Sequence, residues 1–322
     1  MQQRNVGRSG LKVSHLGLGT MTWGRETDLD EAAAQLVAFR DAGGTLVDTA
    51  AIYGLGAAEQ MLGQLMADVV PRSELVVATK AGIARVGDET VVDASRGGLL
   101  RQLDESLRRL AIDNVDLWYV HTVDASVPHD ETLSALDAAV AAGKVRYAGV
   151  SNYSGWRIAR AATWQQAVAG RTAVVANQVR YSLVDRGIER EVVPACVELG
   201  VGVLPYSPLG GGILTGKYRG GVPTDSRAAT GERPIAALQR STTVGIVEAV
   251  ATAAEGLATS PVAVALSWVR DQPGVTAPIL GARTLGQLTA ALASESLELP
   301  HEIRDALDDV SAPDIQYPED VH

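Results

Sequence analysis

Residues 45–54 read Thr-Leu-Val-Asp-Thr-Ala-Ala-Ile-Tyr-Gly. The apolar pair Leu46-Val47 stops on a carboxylate, Asp48, and five positions later Tyr53 leads into Gly54 and Gly56. A strand that ends on an ionisable side chain and opens into a glycine-containing loop presents that side chain at the rim of a sheet. Two other runs end the same way: Leu75-Val76-Val77-Ala78-Thr79 on Lys80, and Val115-Asp116-Leu117-Trp118-Tyr119-Val120 on His121. If these strands are parallel neighbours, Asp48, Tyr53, Lys80 and His121 converge.

Outward from this stretch the same rhythm repeats. Apolar strands over 15–19, 45–48, 75–80, 116–121, 145–150, 173–178, 201–205 and 274–280 are separated by amphipathic helices over 31–42, 57–68, 93–110, 132–142, 154–169, 190–200, 241–257 and 261–270. Alternation of this length implies parallel βαβ units, hence an α/β fold. Eight units imply a closed (β/α)₈ TIM barrel more readily than an open doubly wound sheet. Asp28 or Asp30 is placed to cap the first helix, which Gly43-Gly44 ends. A β-hairpin over 4–13, turning at Gly7-Arg8-Ser9-Gly10, precedes the barrel. A long Gly/Pro-rich loop, 209–234, follows strand seven, and helices over 284–293 and 301–309 lead to a tail expected over the barrel mouth or loose. No linker-like composition divides residues 1–322, so one domain is expected.

Composition narrows the function. Apolar content of 46% excludes a disordered chain, and a net charge of −10 with a pI near 5.0 argues against nucleic acid or an anionic membrane as the main partner. The one cysteine, Cys196, lies in an apolar helical pattern and reads as a small buried residue. The N-terminus lacks the apolar core of a signal peptide, and no uninterrupted apolar run approaches the ~18 residues of a membrane span. A soluble cytoplasmic protein is the expectation. His15, His129, His301 and His322 show no metal spacing, so no metal is expected.

Two phosphate-binding look-alikes fail on detail. Gly54-Leu55-Gly56-Ala57-Ala58-Glu59 has Glu59 where a dinucleotide fingerprint needs its third glycine. Gly211 to Lys217 spells GxxxxGK, but Tyr218 stands where a P-loop needs Ser or Thr for Mg²⁺. A lysine in a glycine-rich loop still suits a cofactor's diphosphate.

The four convergent residues support one chemistry. A tyrosine, with an ordinary pKa of roughly 10, is a poor proton donor near neutrality. A neighbouring ammonium, Lys80, is expected to lower that value, and Asp48 to hold Lys80 charged and in place. A neutral His121 can hydrogen-bond a substrate oxygen. Together they make a general acid for a carbonyl oxygen, a contribution of typically 10²- to 10⁴-fold in rate. The set contains no nucleophile or reductant, so the electron pair must come from a cofactor.

DTAAIYG at 48–54, ATK at 78–80, LWYVH at 117–121, GVSN at 149–152, Gln178, LPYSPLGGGILTGKY at 204–218 and PILGAR at 278–283 together resemble the aldo-keto reductase superfamily from end to end of the chain. The resemblance implies that Asp48, Tyr53, Lys80 and His121 form a catalytic tetrad, with Tyr53 the proton donor and hydride passing from NADPH to an aldehyde or ketone. It implies that Ser151, Asn152 and Gln178 hold the nicotinamide carboxamide and Tyr206 stacks on its ring. Thr20 and Met21 would approach the ribose and diphosphate side, and Asp48 would also contact the cofactor. Ser207, Leu209 and Gly212 would line the diphosphate, with Lys217 and Arg227 closing over it, and Gly281, Arg283 and Gln287 would meet the 2′-phosphate and adenine. The arginine favours NADP over NAD. Relatives usually carry Glu and Asn three and four positions past that glutamine, where this chain has Ala290 and Ala291, which implies weaker or less selective adenine binding. Trp23, on the loop after strand one, is placed either to line a substrate pocket or to pack against the barrel rim.

The runner-up is a cofactor-sensing regulatory subunit resembling the potassium-channel β-subunits of the same superfamily. Those carry Asn in place of His121, so the histidine favours a turnover enzyme. A barrel lyase using Lys80 as a Schiff base is the third reading. Substrate identity and oligomeric state are set by loops and surfaces whose shape the sequence does not dictate.

Overall fold

The computed structural model describes residues 1–219, 221, 224 and 241–313. A short hairpin, β1 (Gln3–Asn5) and β2 (Lys12–Ser14), pairs antiparallel with Arg4 opposite Val13. It precedes β3 (Gly17–Gly19), β4 (Leu46–Asp48), β5 (Val76–Ala81), β8 (Val115–Val120), β9 (Val145–Ser151), β10 (Val174–Arg180), β11 (Gly202–Tyr206) and β12 (Ile279–Leu280). Those eight strands form one parallel sheet in the order β11-β10-β9-β8-β5-β4-β3-β12. The last gap closes through one bridge, where Val203 N donates to Gly274 O and Thr276 N donates to Val203 O at 3.0 and 2.8 Å. The expected strand over 274–280 is thus interrupted. Pro278 within it has no N–H to give a ladder, although its carbonyl still accepts from Gly17 N.

Between strands run α1 (Leu29–Asp41), α2 (Ala57–Asp68), α3 (Arg96–Leu110), α4 (His129–Ala141), α5 (Gly155–Gln166), α6 (Val192–Leu199), α7 (Ser241–Gly256) and α8 (Pro261–Arg270), followed by α9 (Leu285–Leu292) and α10 (His301–Val310). Of the two candidate caps for α1 it is Asp28 whose carboxylate accepts from Glu31 N at 2.9 Å. The sequence reading missed one element, a hairpin of β6 (Ile83–Val86) and β7 (Glu89–Val92) joined by Gly87-Asp88. Cys196 is buried, as expected.

Side-chain alternation along a strand divides the core in two. Val47, Val77, Trp118, Val120, Val150 and Val203 point outward into the helix layer, while Leu46, Ala78, Leu117, Tyr119, Ala176 and Leu204 fill the barrel. Val6, Leu11 and Val13 of the N-terminal hairpin plug the lower end of that interior. Continuing the inner register upward gives Asp48, Lys80, His121, Ser151, Gln178 and Tyr206: the last inward position of six strands is polar. Among the described residues no single helix is long and apolar enough to cross a membrane.

Candidate active site

The upper ends of the strands enclose a cavity of about 560 Å³. At its floor Lys80 Nζ donates to Asp48 Oδ2 at 2.5 Å and to the Thr49 carbonyl at 3.0 Å, while Gln178 Nε2 donates to Asp48 Oδ1 at 2.8 Å. Both carboxylate oxygens are therefore occupied by cation or amide, which is what a buried charge requires. The pair is almost wholly enclosed, with Lys80 only 1% exposed.

Tyr53 comes from the turn after β4. Gly54 and Leu55 there both sit in the left-handed region, at φ 57° and 58°, and Gly56 follows at φ 96°. The turn folds the tyrosine back over the strand end: its ring centroid lies 5.2 Å from Lys80 Nζ, close enough for the ammonium's charge to act on the phenol. His121 meets the same ring edge-on, with centroids 6.1 Å apart and planes at 82°. A second ring, Tyr119, lies 5.8 Å from Lys80 Nζ inside the barrel, so the ammonium sits between two aromatic faces. Gly149 on the neighbouring strand makes room for it, since a Cβ there would fall 2.7 Å from the Tyr119 ring.

Burial and charge set the protonation states. Burial raises the Tyr53 phenol above its ordinary value, and Lys80 opposes this without reversing it. The expected net lowering is thus corrected: desolvation, whose size depends on depth in the fold, outweighs the cation. Burial alone would lower Lys80, but Asp48 and Tyr53 hold it above its ordinary value. Burial, reinforced by Lys80, brings His121 down to about 3, so the imidazole is neutral. Tyr119 is pushed well above the tyrosine range by burial and by Asp48.

A hydrogen-bonded chain ties the next strands to this floor. Tyr206 Oη donates to Asn152 Oδ1 at 2.9 Å, Asn152 Nδ2 donates to the His121 carbonyl at 3.1 Å, and Ser151 Oγ donates to the Gln178 carbonyl at 2.9 Å. Asn152 holds φ 60°, a left-handed backbone that Asn tolerates better than most residues. Further along, Ser207, Leu209, Gly212 and Lys217 line one wall and Gly281, Arg283 and Gln287 the far end, with Met21 at the rim. Thr284 caps α9 by accepting from Gln287 N, and the Gln287 side chain accepts from Arg283 N at 2.9 Å.

Of the expected residues that are described, Thr20, Trp23 and Lys80 do not line the cavity, Lys80 lying beneath Tyr53. Thr20 is buried beneath the cavity, donating to the Asp48 carbonyl through both its N–H and its hydroxyl. Trp23 is fully buried, its Nε1 donating to Gln35 Oε1 at 3.1 Å, so of its two readings packing is the one found. Arg227 lies outside the described residues, as does the tail beyond residue 313. Sequence reasoning missed Gly19, Thr22, Pro208 and Thr215, which line the cavity. Their neighbours at 20–21 and 206–212 had marked the right loops, but which residue of a loop faces inward has no sequence signal. Ala290 and Ala291 also line the far end. Among the described residues no cluster of His, Cys, Asp or Glu suits a metal ion.

A model of the Aldo/keto reductase family matches residues 15–312. An uncharacterized oxidoreductase of Bacillus subtilis, YrpG, is 35% identical over 96% of each chain. A probable voltage-gated potassium channel subunit beta of Oryza sativa is 37% identical over 89% of each chain. The L-glyceraldehyde 3-phosphate reductase of Escherichia coli is 33% identical over 89% of this chain and 86% of its own.

Proposed function

This chain belongs to the aldo/keto reductase family and is an oxidoreductase acting on small-molecule carbonyl compounds, and within that family we propose that it reduces aldehydes or ketones with NADPH, Tyr53 being the general acid. One observation carries the reading: the enclosed Lys80–Asp48 pair lies under Tyr53 with neutral His121 beside it, at one end of a cavity that runs to Arg283.

The cavity's lining suits a dinucleotide. Asp48, Ser151, Asn152, Gln178 and Tyr206 would hold the nicotinamide end, with Met21 over the ribose. Ser207, Leu209, Gly212 and Lys217 would take the diphosphate; Gly211 and Gly212 are both left-handed, which turns backbone toward the cavity, and Lys217 reaches back to within 3.3 Å of where a Gly212 Cβ would stand. Gly281, Arg283 and Gln287 would meet the 2′-phosphate and adenosine, and the guanidinium is the reason to favour NADPH. Ala290 and Ala291 offer the adenine no polar side chain, a loss of about 0.5–1.5 kcal/mol for each missing hydrogen bond.

Bound NADPH supplies the hydride that reaches the carbonyl carbon. Tyr53 gives its proton to the carbonyl oxygen, which His121, neutral and adjacent, orients by a hydrogen bond. Burial keeps the phenol protonated at neutral pH, the form an acid needs, and Lys80 stabilises the tyrosinate left behind. Asp48 keeps that cation in place. Lys80 itself does not line the cavity and is held by Asp48 and Thr49, which leaves imine chemistry without support. His121 likewise favours turnover over cofactor sensing alone.

The test is a screen of NADPH oxidation against aldehydes and ketones with wild type and Tyr53→Phe. The variant is expected to bind NADPH unchanged while turnover falls at least ~100-fold. Equal turnover by both proteins would remove Tyr53 from the acid's role.

A further inference from the structure

The 38 acidic residues are unevenly placed. Between Asp137 and Asp185 there are none, while residues 138–184 carry six cations, Lys144, Arg146, Arg157, Arg160, Arg171 and Arg180. A whole-chain charge of −10 with +6 in this segment leaves −16 for the remainder. Charge is therefore uneven along the chain, with one cationic segment in an otherwise anionic protein.

At the centre of the cationic segment is α5. Its inner face, Ile158, Ala161, Ala162 and Gln165, packs on the barrel. Outward project Trp156, Arg160 and Trp164, four residues apart and so on one stripe, with Val168 just beyond. Trp156 is 55% exposed and Trp164 42%, whereas the chain's other three tryptophans are buried. Arg157 stacks on Trp156 and Arg171 on Trp164, each guanidinium 4.7 Å from the ring centroid. Of the segment's cations Lys144 is paired, with Asp104; among the described residues Arg157, Arg160 and Arg171 make no ion pair. Tryptophan and arginine together are the composition of a protein interface, and unpaired guanidinium groups select an anionic partner.

The matching surface is present on the same chain. On α10, Leu307 faces inward and Glu302, Asp305 and Asp309 form the outer stripe, ending beside exposed Val310. The helix's one arginine, Arg304, turns away into a polar cavity shared with Arg4 and His15. The two stripes are of similar length, but α5 packs beside α6 and α10 beside α7, so one copy cannot bring them together. We infer that the Trp156–Trp164 face of α5 docks on the Glu302–Asp309 face of α10 in a second copy of this chain. Such a contact is heterologous, so a dimer still carries one free face of each kind, on different copies. One helix face per partner falls below the ~800 Å² of a standard interface, so the association is weak and depends on charge.

Sedimentation of the full chain tests this at low and high salt, where the screening length falls from about 30 Å at 0.01 M to about 3 Å at 1 M. Self-association is expected at low salt and its loss at high salt. The Arg157→Glu/Arg160→Glu and Asp305→Lys/Asp309→Lys variants, neither touching the active-site cavity, are each expected to stay monomeric. Mixed together they retain one native face of each kind, and their reversed faces are again opposite in charge, so association is expected to return. That recovery separates a true contact from misfolding. A wild type that stays monomeric at low salt, variants that associate like wild type, or a mixture that does not pair would each overturn the inference. Binding of monomeric wild type to phosphatidylserine vesicles, read by a blue shift of tryptophan fluorescence, would overturn it in favour of a lipid surface.

Discussion

Adjacent residues of β5 anchor two different buried ion pairs. Lys80 points into the barrel and meets Asp48 at 2.5 Å. Thr79, one residue earlier, points outward and donates to Glu59 on α2, whose other oxygen takes Arg109 of α3 at 2.7 Å. Each pair joins elements far apart in sequence and each saturates its carboxylate. The difference lies in what surrounds them. The inner pair sits beneath a phenol and an imidazole at a cavity floor, while the outer one is closed between two helices and the sheet. On the proposed reading the same chemistry serves reaction on one side of a strand and assembly on the other, and strand alternation decides which.

Breaking the inner pair should have the largest effect. Lys80→Met removes the cation that stabilises a Tyr53 anion, and turnover is expected to fall by ~10²- to 10⁴-fold, measured as kcat of NADPH oxidation. Stability should suffer less. A carboxylate left in a dry interior can take up a proton, and Gln178 still bonds Asp48. A Lys80→Met protein with near-normal turnover would sink the claim that this pair is chemical.

Breaking the outer pair reverses the balance. Glu59→Gln leaves Arg109, which cannot shed its charge, 17% exposed with only Ser106 and Glu105 as other polar side-chain partners among the described residues. Removing one partner of a buried pair costs about 3–5 kcal/mol, and Glu105 at 3.8 Å compensates enough to favour the lower figure. At ~1.5 °C per kcal/mol for a chain of this size, from an unfolding entropy of ~2.1 cal/mol/K per residue, thermal unfolding should come about 4–5 °C earlier. Gly56 packs on Arg109, where a Cβ would fall 2.7 Å from the side chain, so the Tyr53 turn will feel the change. Even so, turnover per folded molecule should fall far less than in Lys80→Met.

The sequence carried one pair and hid the other for a physical reason. Asp48, Lys80 and His121 each end an apolar strand, and a charge at that place has a positional signature. Glu59 and Arg109 sit inside ordinary amphipathic helices, where a charged residue reads as solvated surface, and Glu59 looked like the failed third glycine of a nucleotide motif. All eight barrel strands were legible because buried parallel strands are near-continuous apolar runs. The β6–β7 hairpin was not, since its exposed strands carry no core pattern and its Gly87-Asp88 turn stood alone as a signal. Tyr119 passed as one more apolar strand residue. Its place against Lys80 depends on Gly149 in the next strand, a pairing no local window contains.

The smallest expected effect separates the pairs most cleanly, because it can be read without turnover. His121 is held down to about 3 first by burial and then by Lys80. In Lys80→Met the second cause is gone while the first remains, so His121 should titrate higher than in wild type yet still below 6.5; in Glu59→Gln it should not move. Histidine ring resonances followed by NMR from pH 7 to 4 report this directly. The same depression links to stability. The unfolded chain binds this proton near pH 6.5 and the native chain only near 3, so its contribution is complete above 6.5 and declines as pH falls through that window, by at most about 1.4 kcal/mol per unit. His15, brought down to about 4 by burial and by Arg270 and Arg4, adds a decline of the same sign from the other end of the barrel. Urea midpoints at pH 7 and pH 5 should therefore converge for His121→Asn relative to wild type, and an unchanged gap would mean that the imidazole is not held neutral by its surroundings.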